Sequence, residues 1–251
     1  MSRTGASPFT IAARASLTGS KGIQEDRISV QGNRAWAIDG ATALLEELGL
    51  PGESDAAWYA SKLDACLTAT ASTTSVKDGL RQAIEDIDCQ AKTLAGEELV
   101  RFPSAAVLII EATQSGTEVL SLADCHLLVE TVNLDVVHVG PTSGDDYLLD
   151  KEAVINRRRH RNTPDGIWVA RRESIAVEHA VHLRLPPSRR VLLATDGAWR
   201  AHTLQFAPTY REMLDAFSSP ESAESLLQQI READAQRYGY WDDATVAVLE
   251  S

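Results

Sequence analysis

The chain has 251 residues, 44% of them apolar and 24% charged, proportions of an ordinary packed domain that exclude a disordered or fibrous polymer. Thirty-six acidic residues against 24 basic ones leave a formal charge of −12, which repels a nucleic-acid backbone instead of steering it in. Cys66, Cys89 and Cys125 are odd in number and scattered, no signal-peptide pattern opens the chain, and no run approaches the roughly 18 apolar residues of a membrane span. The expectation is a cytoplasmic monomer with reduced thiols, folded as a single domain over 1–251, with no membrane and no nucleic-acid partner.

The first third opens with short segments of strand length, Thr10 to Leu17, Arg27 to Gln31 and Arg34 to Ile38, parted by turns that contain glycine. From Ser54 the period changes to that of a helix. Ala56, Ala60, Leu63, Leu67 and Ala71 form one apolar stripe, and Val76, Leu80, Ile84, Ile87, Ala91 and Leu94 a second. After Pro103, four dense apolar segments follow, Ala105 to Glu111, Glu118 to Leu122, His126 to Thr131 and Asp135 to Val139, which predict an antiparallel meander. The stretch from Gly140 to Ser174 carries Pro141, Gly144, Pro164, Gly166 and a basic run from Arg157 to Arg161, and reads as loop with one short helix. Strands are predicted at Arg190 to Ala194 and Ala244 to Leu249. Between them, Ser219-Pro220-Glu221 starts a helix with Ala223, Leu226, Leu227, Ile230 and Ala233 on one face. Two blocks of strands, each followed by helices, predict an α+β sandwich of antiparallel sheets with helices outside.

Carboxylates stand where strands end: Asp39-Gly40 after one, Asp196-Gly197 after another, Asp242-Asp243 before a third. Hard divalent cations take oxygen ligands, and phosphoryl chemistry on two of them needs carboxylates gathered from several segments. Asp-Gly is also a common turn dipeptide, and Asp78-Gly79 and Asp165-Gly166 supply two further copies with no such context.

Taken together, Lys21-Gly22-Ile23-Gln24-Glu25-Asp26-Arg27, Trp36-Ala37-Ile38-Asp39-Gly40, Ser104-Ala105-Ala106, Leu120 to Asp124, Val191 to Trp199 and Asp242-Asp243-Ala244-Thr245-Val246 resemble the metal-dependent type-2C (PPM) protein phosphatases, in the family's order and over most of the chain. The resemblance implies a four-layer α-β-β-α sandwich and hydrolysis of phosphoserine or phosphothreonine in proteins, in a bacterial-type member. It implies two Mn2+ or Mg2+ ions and a third, weaker one. Asp39 matches the aspartate that bridges two metals, with the Gly40 carbonyl helping to hold the second and Asp196 and Asp242 completing the first. Glu25 and Asp26 match the acidic pair, the glutamate acting through metal-bound water. Asp124 falls at the third-metal aspartate, and Asp243 is the alternative to Asp242 if the register slips by one.

Two departures accompany the likeness. Lys21 stands where many relatives have an arginine that grips phosphate, and lysine does so only as a point charge; Arg14 and Arg27 are possible substitutes. Ala41 and Thr42 follow Asp39-Gly40 where many relatives place a histidine that protonates the leaving group. His126 and His138 lie in apolar strands and read as core or edge residues. No cysteine has an arginine six positions on, and neither a P-loop nor a Gly-x-Ser-x-Gly elbow occurs. The alternatives to a protein phosphatase are a non-catalytic phosphatase-like regulator and a phosphatase of small phosphorylated metabolites.

Overall fold

The computed structural model describes residues 7–141 and 151–250; Gly144 lies outside them. Two antiparallel five-stranded sheets form the centre. The first orders its strands β1 (Thr10–Leu17), β10 (Ala244–Glu250), β9 (Ser188–Ala194), β6 (His126–Thr131) and β7 (Val136–Val139). The second runs β2 (Arg27–Gln31), β3 (Arg34–Gly40), β4 (Ala105–Thr113), β5 (Gly116–Leu122) and β8 (Val181–Leu185). Residues alternate between the faces of a strand, and here both faces are apolar. Ala35, Ala37, Leu108, Ile110, Leu127, Val129, Val191, Leu193 and Leu249 interdigitate between the sheets. Their neighbours along the strands face outward onto helices, which explains why the central strands read as unbroken apolar runs.

On one outer face, Trp36, Ile38, Val107 and Ile109 pack against α1 (Asp55–Thr70) and α2 (Val76–Ala95). On the other, Leu192, Ala194, Val246 and Val248 pack against α4 (Asp196–Thr203), α5 (Tyr210–Ala216) and α6 (Pro220–Tyr238). Four layers result, and the α-β-β-α expectation holds. The helices start where side chains satisfy their first free N–H groups. Ser54 accepts from Ala57 and Ser75 from Asp78, while Thr209 and Ser219 head capping boxes with Glu212 and Ser222. Gly239, at φ +75°, ends α6 in the left-handed region that glycine adopts freely. Two buried ion pairs tie elements together: Arg34 and Glu111 face each other across β3 and β4, and Arg200 on α4 holds Asp234 on α6.

The structure departs from the sequence reading in five places. Leu94 completes the second predicted stripe yet is 51% exposed, because in the last turn of α2 it is Ala95, four residues on from Ala91, that packs against the core. β8 and α5 were not marked by periodicity: β8, Val-His-Leu-Arg-Leu, is an edge strand with no buried residue, and α5 is only seven residues long. Asp196 begins a helix instead of a turn. Asp78-Gly79 lies in the first turn of α2, whereas Asp165-Gly166 is a turn. The basic stretch does contain one short helix, α3 (Lys151–Arg159). No helix among the described residues is long and apolar enough to cross a membrane.

Candidate metal centre

Acids from both sheets meet at one end of the sandwich. Asp39 ends β3, Asp124 lies in the turn between β5 and β6, Asp196 opens α4 directly after β9, and Asp242 and Asp243 precede β10. Glu25 and Asp26 lead into β2 and are buried. Antiparallel pairing of β9 with β10, and of β3 with β4, fixes these strand ends side by side.

The two glycines of the Asp-Gly pairs are there for close approach. Neither has a positive φ. A Cβ on Gly40 would lie 2.6 Å from the Glu25 carbonyl oxygen, and one on Gly197 only 2.0 Å from that of Asp243. No side chain fits at such distances, so the two glycines let four acid-bearing segments touch in two pairs.

Hydroxyls and backbone N–H groups hold the individual acids. Asp243 spends both carboxylate oxygens on the backbone: Gly19 N–H donates at 2.5 Å and Glu25 N–H at 2.6 Å. Asp242 Oδ1 accepts from the Asp243 N–H at 2.9 Å. Thr195 Oγ1 donates to Asp26 Oδ2 at 2.8 Å, and the Asp196 N–H donates to Asp39 Oδ2 at 3.3 Å. Glu25 is held on both oxygens, by Ser54 Oγ at 2.5 Å and by Thr42 Oγ1. Thr42 follows Ala41, the position at which the resemblance implies a histidine. Ser54 caps α1 with the same oxygen. Thr42, Ser54 and Thr195 carried no mark as site residues in the sequence, since a lone hydroxyl has no pattern; only the Ser54 helix start was visible.

The carboxyls disturb one another. Burial, then the charge of Asp243, push Asp26 well above the usual carboxylate range. Burial, then Asp26, Asp124 and Asp242, do the same to Asp39, and burial, then Asp39, Asp242 and Asp124, to Asp196. Burial raises Asp242 also, with Lys21 and Arg158 pulling the other way. Asp243 is pushed up to about 6, chiefly by burial. Asp39 and Asp196 are only half-buried and Asp242 is exposed, so the acids are crowded by protein inward while their mouth opens to solvent. Among the described residues no three acid, histidine or cysteine side chains close tightly enough to hold an ion as they stand. They converge as a field of mutual repulsion, and as an all-oxygen set that matches hard divalent cations.

Lys21 is exposed at the rim, its Nζ donating to the Ala43 carbonyl at 3.3 Å. Arg27 turns away, bonding the Gln24 and Asp26 carbonyls and Ser61, and Arg14 lies in β1 paired with Ala247. His126 and His138 bond each other at 3.0 Å and stack on Trp199. Burial lowers them to about 3 and about 4, which leaves both neutral at physiological pH and agrees with the core reading.

No protein-family model and no curated protein matches the chain. Solved structures do. The serine/threonine phosphatase PstP/Ppp of Mycobacterium tuberculosis is 15% identical at a TM-score of 0.63, over 97% of this chain and 98% of that one; its catalytic domain has also been solved in complex with 2 manganese ions. The PPM Ser-Thr phosphatase MsPP of Mycobacterium smegmatis, in complex with cacodylate, is 18% identical at a TM-score of 0.58, over 98% and 99% of the two chains. RsbX in complex with magnesium is 13% identical at 0.55, over 94% and 92%. At such identities the likeness is one of architecture, and it spans nearly the whole chain: the chain has the fold of the PPM serine/threonine phosphatases.

Proposed function

We propose that the whole chain is one metal-dependent phosphatase domain that hydrolyses phosphoserine or phosphothreonine in proteins. A single observation carries the reading. Asp26, Asp39, Asp196 and Asp242 come from four segments to one end of the sandwich, where burial first and then the charge of neighbouring carboxylates raise their carboxyls. A fold keeps such a costly cluster when cations offset the repulsion. The neighbouring fold members with manganese or magnesium bound support the same choice of ion.

Asp39 would bridge two Mn2+ or Mg2+ ions, with the Gly40 carbonyl on one, Asp196 and Asp242 on the other, and Asp124 on a weaker third. Bound there, such ions supply an ionised water and neutralise charge on the phosphoryl oxygens. The chain's own groups do the rest. Thr42 and Ser54 hold Glu25 so that its carboxylate is oriented toward the ligands' side of the site. Thr195 fixes Asp26. Asp243 ties Gly19 and Glu25 together, so it braces the acidic segments and Asp242 is left as the ligand. Lys21 offers a point charge to the substrate phosphate. With Ala41 in place of a histidine, departure of the alcohol relies on solvent for its proton, and substrates with good leaving groups are favoured.

A second reading, a phosphatase-like regulator without turnover, draws on the capture of both Glu25 oxygens by hydroxyls. Hydrolysis decides between them. Manganese-dependent cleavage of para-nitrophenyl phosphate and of a phosphothreonine peptide is expected, abolished by Asp39→Asn or Asp196→Asn. Activity that persists in excess chelator, or in both variants, overturns the assignment; metal binding with no turnover on either substrate favours the regulator.

A further inference from the structure

Two stretches that carry the proposed chemistry lie outside helix and sheet. Asp242 stands between Gly239, which ends α6, and Ala244, which begins β10. Lys21 stands in the loop between β1 and β2, in a turn that the Gly22 N–H closes on the Gly19 carbonyl at 3.0 Å. No ladder or helical turn fixes either backbone, so each depends on tertiary partners. They supply one another. The Ser20 N–H donates to the Trp241 carbonyl at 2.9 Å, the Gly19 N–H to Asp243 Oδ1 at 2.5 Å, and the Trp241 indole Nε1–H to the Thr18 carbonyl at 3.0 Å. Gly19 is where the two backbones touch: a Cβ there would lie 2.8 Å from the Asp243 nitrogen and 2.9 Å from the Asp242 carbonyl carbon.

Trp241 joins this clasp to the body of the protein. It is half-buried, and its indole shares a shallow recess with Leu17 of β1 and with Leu227 and Ile230 of α6. The Arg231 guanidinium of α6 lies 6.0 Å from the ring centre. The ring thus rests on α6 while its N–H reaches the loop. A tryptophan side chain turns about two torsions only, so an indole packed on one side and bonded on the other holds α6 and Thr18 at a set distance. Chemistry flanks both ends of that link, with Asp242 directly after Trp241 and Lys21 three residues after Thr18.

We propose that Trp241 is a positioning residue for the hydrolysis: its indole N–H on Thr18 and its carbonyl on Ser20 set the spacing between Asp242 and the turn that presents Lys21. The inference rests on the phosphatase reading, which makes Asp242 a metal ligand and Lys21 a phosphate contact, and it adds a residue that acts through both. Trp241 itself touches neither ion nor substrate.

Trp241→Phe tests this, since it keeps an aromatic ring on α6 and removes the donor. In chelator the variant should melt within about 4 °C of wild type, the effect of one lost hydrogen bond. The Gly19 and Ser20 amides should exchange for deuterium at least tenfold faster. Calorimetric Mn2+ affinity should fall at least fivefold, and at saturating Mn2+ the KM for para-nitrophenyl phosphate should rise several-fold with kcat within twofold, the pattern of lost binding without lost chemistry. Unchanged exchange, or faster exchange with either Mn2+ affinity or KM as in wild type, overturns the proposal. Should Trp241→Phe not fold, Gly19→Ala, which forces the same two backbones apart, decides by the same readouts. If wild type neither binds Mn2+ nor hydrolyses para-nitrophenyl phosphate, the phosphatase reading falls by that result alone; exchange then decides the clasp, amides tenfold faster in the variant supporting it and unchanged amides refuting it.

Discussion

Gly197→Ala sets two effects of known size against each other. Gly197 is the second residue of α4, and alanine there improves helix propensity by at most about 1 kcal/mol. The added Cβ would stand 2.0 Å from the Asp243 carbonyl oxygen, and real Cβ atoms do not approach closer than 3.0 Å. Something must therefore give by at least 1 Å. What lies opposite is backbone, pinned by the bonds of the Asp243 carboxylate to Gly19 and Glu25 and by the entry into β10. Overpacking of this kind costs about 1–3 kcal/mol and often more when the backbone cannot yield, so the clash outweighs the propensity gain. A net loss of about 1–2 kcal/mol lowers Tm by roughly 2–8 °C in a chain of this size. The displaced segment carries Asp242, so Mn2+ affinity should fall with stability. Thermal unfolding with chelator and calorimetric Mn2+ titration read the two effects separately. A Tm equal to or above wild type, with Mn2+ affinity intact, would show that Gly197 is an ordinary residue of the first turn of α4 and that the acid-bearing segments are not packed as described.

Removing an acid should have the opposite effect on the metal-free protein. Burial and repulsion raise Asp26, Asp39 and Asp196, so the folded state holds protons that the unfolded chain releases. Stability from these groups is full below the unfolded carboxylate range near pH 4 and is lost as pH rises through the raised values. Asp39→Asn in chelator at pH 7.5 should therefore melt above wild type, by about 2–4 °C for each kcal/mol of repulsion relieved, while Mn2+ raises Tm for wild type alone; a variant less stable than wild type in chelator contradicts this. Away from the site, Asp234→Ala strands the buried Arg200 guanidinium, whose Nη2 bonds Asp234 at 2.5 Å. That change should cost about 3–5 kcal/mol in urea unfolding, and a loss below about 1 kcal/mol would mean that water reaches the arginine.

The architecture was legible where burial writes a period into the chain. Strands covered on both faces, such as β4 and β6, show as dense apolar runs, and α2 shows as a stripe from Val76 to Ala91. β8 escaped because its apolar face, Val181, Leu183 and Leu185, is short and only partly covered, and Leu94 misled because the packed stripe passes from Ala91 to Ala95, one position further round the helix. The start of α5 was written in Thr209 and Glu212, a capping box that says nothing of helix length.

At the site, the Asp39-Gly40 and Asp196-Gly197 pairs lie at strand ends that the fold brings together, but the glycine signal has a cause that local sequence does not contain. Gly40 meets Glu25 and Gly197 meets Asp243, contacts that exist only after the sheets close. The same holds for the partners of the acids. Thr195 is 169 positions from Asp26, and Asp243 is 218 from Glu25. Hydrogen bonds across such separations leave no periodic trace. Arg158 was visible only as part of a basic run, and its position on the Thr42 carbonyl depends on how α3 folds over the loop after Asp39.

The convergence of carboxylates on divalent ions is tested most directly by counting the ions. Calorimetric titration of the chelator-stripped protein with Mn2+ at pH 7.5 should give two sites per chain, with Asp39→Asn losing both and Asp196→Asn losing at least one. A wild-type protein that takes up no Mn2+, or variants that bind the same number of ions with the same affinity, would contradict the account.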